Sequence, residues 1–188
     1  MFRKAGFSLV EVLVSIVVLA LGVIGAAGMQ LTALRTTQQT AFQTHALQLA
    51  AEMAEAVMAS ERQIDSSGGT NPFLDLNYQS AHDSAPAVPD KLCYEIGCDG
   101  KEFAEFETYE WKNRIRTALP GGRVLICRDS APWNKNEHAL SWDCSGSAND
   151  ALVIKLGWQA RNPDGSLIQD GRNESVPRVV IPVNGRAK

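Results

Sequence analysis

No proline occurs before Pro72, and no charged residue lies between Val12 and Met29, where Ser15 is the single polar side chain. Without proline, nothing in the first third of the chain forces a helix to stop. Without charge, the segment from Val12 to Met29 gains little from staying in water. Histidine is scarce: His45, His82 and His138 stand too far apart to suggest a ligand set. The motifs H-E-x-x-H and G-x-S-x-G and the phosphate-binding loop are missing as well. These absences remove the usual metalloenzyme, hydrolase and nucleotide-binding readings, so the chain is not expected to be an enzyme, and no catalytic residue, metal or cofactor is expected. A net charge of −3 argues against a chain built to gather polyanions.

What remains is an uneven distribution of apolar residues. The overall content, 45% of 188 residues, suits one modest domain with an extended element. The run from Val12 to Met29 makes a helix of roughly 27 Å at about 1.5 Å per residue, close to the hydrocarbon thickness of a bilayer. Arg3 and Lys4 precede it, which places the N-terminus on the cytoplasmic side and the rest of the chain outside. A disposable secretory signal is the ordinary reading, with Gly25 to Gln30 as its cleavage region. Glu11 opposes that reading, because a carboxylate inside the apolar run costs about 2.5–3.5 kcal/mol on insertion scales and a discarded signal gains nothing from it.

The helical pattern also continues past Met29. Leu34, Phe42, Ala46, Leu49, Ala50, Met53 and Val57 follow at spacings that share one face, so one helix is expected from about Phe7 to about Ser60, its membrane span at about 9–29. Such a helix is half lipid-facing and half packed on something else. Gly22, Gly25, Ala26, Ala27 and Gly28 form a patch of small residues suited to close helix approach or to local loosening.

The opening "GFSLVE" behind a short basic leader, followed by an apolar helix that turns amphipathic, resembles the type IV prepilin signature shared by pilins, minor pilins and type II secretion pseudopilins. The resemblance implies a leader of residues 1–6, cleavage by a membrane prepilin peptidase between Gly6 and Phe7, and N-methylation of Phe7. It also implies a role for Glu11: its carboxylate pairs with the N-terminal amine of a neighbouring subunit and sets assembly register. The implied life history is a single-pass inner-membrane protein with a periplasmic head, residues 61–188, that later enters a pilus, at its tip. Partners implied are the prepilin peptidase, other minor pilins, the major pilin, the inner-membrane assembly platform, a tip adhesin and membrane lipid, in support of twitching motility and adhesion. A type II secretion pseudopilin and a DNA-uptake pilin share the signature and are the alternative readings.

In the head, "DSSGGTNP" reads as a helix stop, and the segment holding Pro72, Pro86 and Pro89 as a long surface connection. A second helix is expected between Gly100 and Leu119, with Ala104, Trp111, Ile115, Ala118 and Leu119 on one face. Arg123 to Cys127, Ala151 to Ala160 and Arg178 to Val183 read as strands, and Asn162 to Ser166 as a turn rather than a calcium loop. The fold class is therefore α+β, a long helix packed on a small antiparallel sheet, as in pilins. Trp111 and Trp158 are expected in the core. The cysteines Cys93, Cys98, Cys127 and Cys144 allow three pairings as disulfides; Cys93–Cys98 with Cys127–Cys144 is preferred because each closes a local loop. Lys112, Arg114, Arg116, Arg123 and Arg128 form a basic cluster that Glu105, Glu107 and Glu110 can neutralise along the helix, so nucleic acid is not an expected partner.

Overall fold

A computed structural model describes residues 8–67, 71–94, 97–161, 166–168 and 175–183. The chain divides into two compact units, Met1–Thr40 and Ala41–Lys188. In the first unit the described residues are the N-terminal part of helix α1, Leu9–Ser67, which belongs to both units. The uninterrupted helix follows from the absence of proline, and Glu11 in its first turn complements the positive end of the helix dipole. In its Thr-rich stretch Thr32, Thr36, Thr37 and Thr40 each donate to the carbonyl four residues back, at 2.9–3.2 Å, which satisfies their hydroxyls within the helix.

The second unit is built on the rest of α1. Ala46, Leu49, Ala50, Met53, Ala54 and Val57 are buried, at the three- and four-residue spacing of one helical face. Helix α2, Gly100–Ala118, packs into the same core through Ala104, Trp111 and Ile115. Its start is fixed by a capping box: the Asp99 side chain accepts from the Lys101 and Glu102 N–H groups, and the Glu102 side chain accepts from the Asp99 N–H. Leu119, the C-cap, is buried, whereas Ala118 is exposed and not on the packed face that the spacing suggested.

Four antiparallel strands form the main sheet in the order β1-β2-β5-β8: β1 Asn77–Gln79, β2 Arg123–Arg128, β5 Leu152–Gly157 and β8 Pro177–Pro182. Val124, Ile126, Ile154, Leu156 and Val179 join the helices in the core. The long surface connection expected after the first helix is in part a core element. Phe73, Leu76 and Tyr78 are buried, Phe73 stacks on Trp111 with ring centroids 5.0 Å apart, and β1 pairs with β2. Polar residues on either side hide these three aromatic and aliphatic anchors from a reading by periodicity. The single strand expected over Ala151 to Ala160 is broken, because the β5–β8 register shifts at Leu156/Gly157 and the Gln159 N–H leaves the ladder to bond the Pro120 carbonyl. Ala160–Arg161, β6, then pairs with β7, Leu167–Ile168; residues 162–165 of the expected turn lie outside the described residues.

A second layer covers the other face of β5. Between Arg128 and Leu152 the chain makes an excursion that contains a short hairpin, β3 Trp133–Asn134 and β4 Ala139–Leu140. His138 in its turn has a φ of 49°. This layer explains why β5 is buried on both faces when its neighbours alternate.

Candidate assembly surface and the lock of the head

The sequence places its functional weight on the N-terminus. Gly6 and Phe7, the expected cleavage and methylation positions, lie outside the described residues. Glu11 sits in the first turn of α1, exposed, with its own N–H bonded to the Ser8 carbonyl at 3.0 Å. Ser15, one turn on, spends its hydroxyl on the Glu11 carbonyl at 2.7 Å and leaves the Glu11 carboxylate to other partners. Around it the helix is apolar and open. Leu9, Leu13, Ile16, Val17, Leu19, Leu21 and Ile24 are all large and exposed. The helix holds an 18-residue window of mean hydropathy 2.7, none of it buried inside the molecule, and it is long and apolar enough to cross a membrane.

Gly22, Gly25 and Gly28 have nothing within 4 Å of where a Cβ would stand. Nothing inside the molecule therefore requires glycine there, and the shallow surface they leave is free for a neighbouring helix to approach closely. The arrangement can bundle with like helices and can present one carboxylate to a cation at a fixed height. Among the described residues no three His, Cys, Asp or Glu side chains converge to hold a metal ion.

The head carries its polar chemistry in locks. Disulfides join Cys93 to Cys98 and Cys127 to Cys144. The second ties β2 to the excursion, beside a feature that sequence reading passed over. Lys155, in the middle of β5, is completely buried. Its ammonium donates to Asp129 Oδ2 at 2.5 Å, the Ser141 carbonyl at 2.8 Å and the Asp143 carbonyl at 2.6 Å, which uses all three of its hydrogens. Burial by itself raises the Asp129 carboxyl, but hydrogen bonds from Lys155 and from the Ala131 N–H outweigh it and hold the carboxyl below its ordinary value. Next to this pair, Trp142 donates its Nε1–H to the Ser175 carbonyl at 2.6 Å, and the Arg123 guanidinium lies 4.4 Å from the centre of its ring. The signal was visible as a lone lysine inside "VIKLGW", a charged residue in a strand too apolar to have a solvent face.

The basic cluster is dispersed by the fold. Arg114 pairs with Glu52 of α1, at 2.5 Å, rather than with the acidic residues of its own helix. Arg116 bonds the Tyr78 hydroxyl and the Asp83 carbonyl, and Arg128 the Asp150 carbonyl. Of the α2 acids, Glu105 pairs with Lys101 at 3.6 Å and Glu110 accepts from the Tyr94 hydroxyl, while burial, with help from Glu110, pushes the Glu107 carboxyl up. Trp111 and Trp158 are buried in the core.

Compared with known proteins, residues 1–27 match the model of the prokaryotic N-terminal methylation motif. The chain thus carries the prepilin-like start found in type IV pilin-like and pseudopilin proteins. No curated protein and no solved structure matches it.

Proposed function

We propose that this chain is a minor pilin, a non-catalytic assembly protein of the type IV pilus, most like the minor pilin PilV, the type IV pilus modification protein. The observation that carries the reading is the methylation motif at residues 1–27 leading into a helix whose apolar surface is exposed on every side and bears a single carboxylate, Glu11. Cleavage after Gly6 makes a new cation, the Phe7 amine, and Glu11 is the fifth residue when Phe7 is counted as the first. Two ions that are each costly in hydrocarbon offset one another when they meet, so a subunit is held only where its Glu11 finds an amine. Intrachain pairing one turn apart serves the lone subunit; pairing with a neighbour serves the bundle.

In this reading the prepilin peptidase processes the chain at the inner membrane, and the helix from Phe7 to Val57 bundles with other minor pilins and the major pilin on the assembly platform. The periplasmic head selects partners by surface contacts, and the complex primes the filament and stays at its tip, near any tip adhesin, in support of twitching motility. Mass spectrometry of the mature protein tests the reading at its root. The expected N-terminus is methylated Phe7; a chain that begins at Met1, or beyond Met29, rejects it. The same motif serves type II secretion pseudopilins, and deletion separates the two roles: loss of twitching supports the pilus, and loss of exoprotein release the secretion system.

A further inference from the structure

Several other cations of the head are matched with oxygens. Lys155 has Asp129 and two carbonyls, Arg114 has Glu52, and Arg116 has Tyr78 and the Asp83 carbonyl. Arg178 is different. It stands on β8, the edge strand of the main sheet, half-buried, and its Nε and Nη2 are buried with no acceptor among the described residues. Its guanidinium carbon lies 5.7 Å from the centre of the Trp158 ring. Among the described residues the Trp158 indole Nε1–H has no acceptor either, although that residue is only 3% exposed. Burial lowers the guanidinium from its ordinary value.

The pattern is specific in two ways. Buried donors are nearly always paired, so three unpaired ones on adjoining side chains call for an acceptor. The two on Arg178 are also the pair that matters: Nε–H and one Nη–H point the same way, at the spacing of the two oxygens of a carboxylate, and form the side-on fork that arginine uses to hold that group. A lysine at this position has no such fork. Water fits less well, since it is itself a donor and a site made only of donors favours an anion.

We propose that Arg178 and Trp158 form a carboxylate-binding site at the β8 edge, in which Arg178 Nε–H and Nη2–H take the group side-on and Trp158 Nε1–H is the adjoining third donor. The carboxylate comes from an acidic side chain of a partner polypeptide or from a small free carboxylate. Because Arg178 is half-buried, not sealed, entry needs a side-chain adjustment and no unfolding. This site is independent of the N-terminal assembly surface.

Nuclear magnetic resonance of the full chain in detergent micelles tests it directly. The Arg178 Nε–H and Trp158 indole N–H signals are followed while sodium acetate is added, against sodium chloride at equal ionic strength. A capped tripeptide with a central Asp is then compared with its Asn counterpart. Acetate and the Asp peptide should move the signals saturably, and chloride and the Asn peptide should not. In Arg178→Lys the Trp158 response should weaken by about ten- to a hundredfold, while the Trp111 and Trp142 indole signals stay in place as evidence of an intact fold. Tighter binding of the Asp peptide than of acetate identifies a polypeptide as the source; equal binding identifies a free carboxylate. A response that does not saturate, that chloride reproduces, or that survives unchanged in Arg178→Lys means that water occupies the donors and overturns the proposal.

Discussion

A lysine that is 0% exposed is the residue on which the outer layer of the head turns. Removing one partner of a buried ion pair strands the other, so Lys155→Met should destabilise the protein by about 3–5 kcal/mol in chemical denaturation. Lys155→Met combined with Asp129→Leu should recover most of that loss, because neither charge is then buried alone. A double variant as unstable as the single one would show that the lysine acts by packing. The same pair predicts a pH response. The Asp129 carboxyl is held below its unfolded value, so its contribution is complete above about pH 4 and is lost as pH falls through the folded value. Acid should therefore release the segment from Asp129 to Asp143, read as loss of the near-ultraviolet circular dichroism of Trp142, with a weaker pH dependence in Asp129→Asn.

At the scale of elements, the excursion between β2 and β5 is fastened at both ends. Lys155 and the Cys127–Cys144 disulfide hold it to the sheet, and Trp142 packs against Gly157, where the absence of a Cβ gives it room. A Cβ at Gly157 would stand 2.7 Å from Trp142 Cζ2 and 2.7 Å from the Val176 carbonyl oxygen. Since one of these neighbours is backbone, Gly157→Ala should cost about 1–3 kcal/mol, measured by thermal or denaturant unfolding. Unchanged stability would mean that the Trp142 layer is loosely seated. The register shift at Leu156/Gly157 ends regular pairing where the indole packs, and the chain beyond it turns to a different pairing in β6.

For the molecule as a whole, the membrane-length apolar helix and the folded head obey different solvents. In α1 the leucines and valines before Met29 are exposed, while Ala46, Leu49, Ala50, Met53 and Val57 of the same helix are buried by the head. Under the proposed pilin role, Glu11→Ala should leave cleavage after Gly6 and head stability unchanged and should reduce entry into the assembly complex by more than tenfold, about the value of one buried charge pair. The readout is piliation and partner co-purification in cells. Normal piliation in that variant would remove the register role from Glu11.

The amino-acid sequence by itself determined the long proline-free helix, its apolar run and the odd carboxylate, the second helix and the central strands. These depend on local composition and periodicity, which act over a few turns. Tertiary structure alone decided that Phe73, Leu76 and Tyr78 leave an apparently polar connection to enter the core, that Arg114 pairs with Glu52 across helices, and that Lys155 goes inside. Each depends on a partner far away along the chain. Lys155 can be buried only because Asp129, 26 residues before it, is brought within 2.5 Å by strand pairing. A lone lysine carries no trace of that acid, because the free energy that makes burial tolerable exists only once both have left water together.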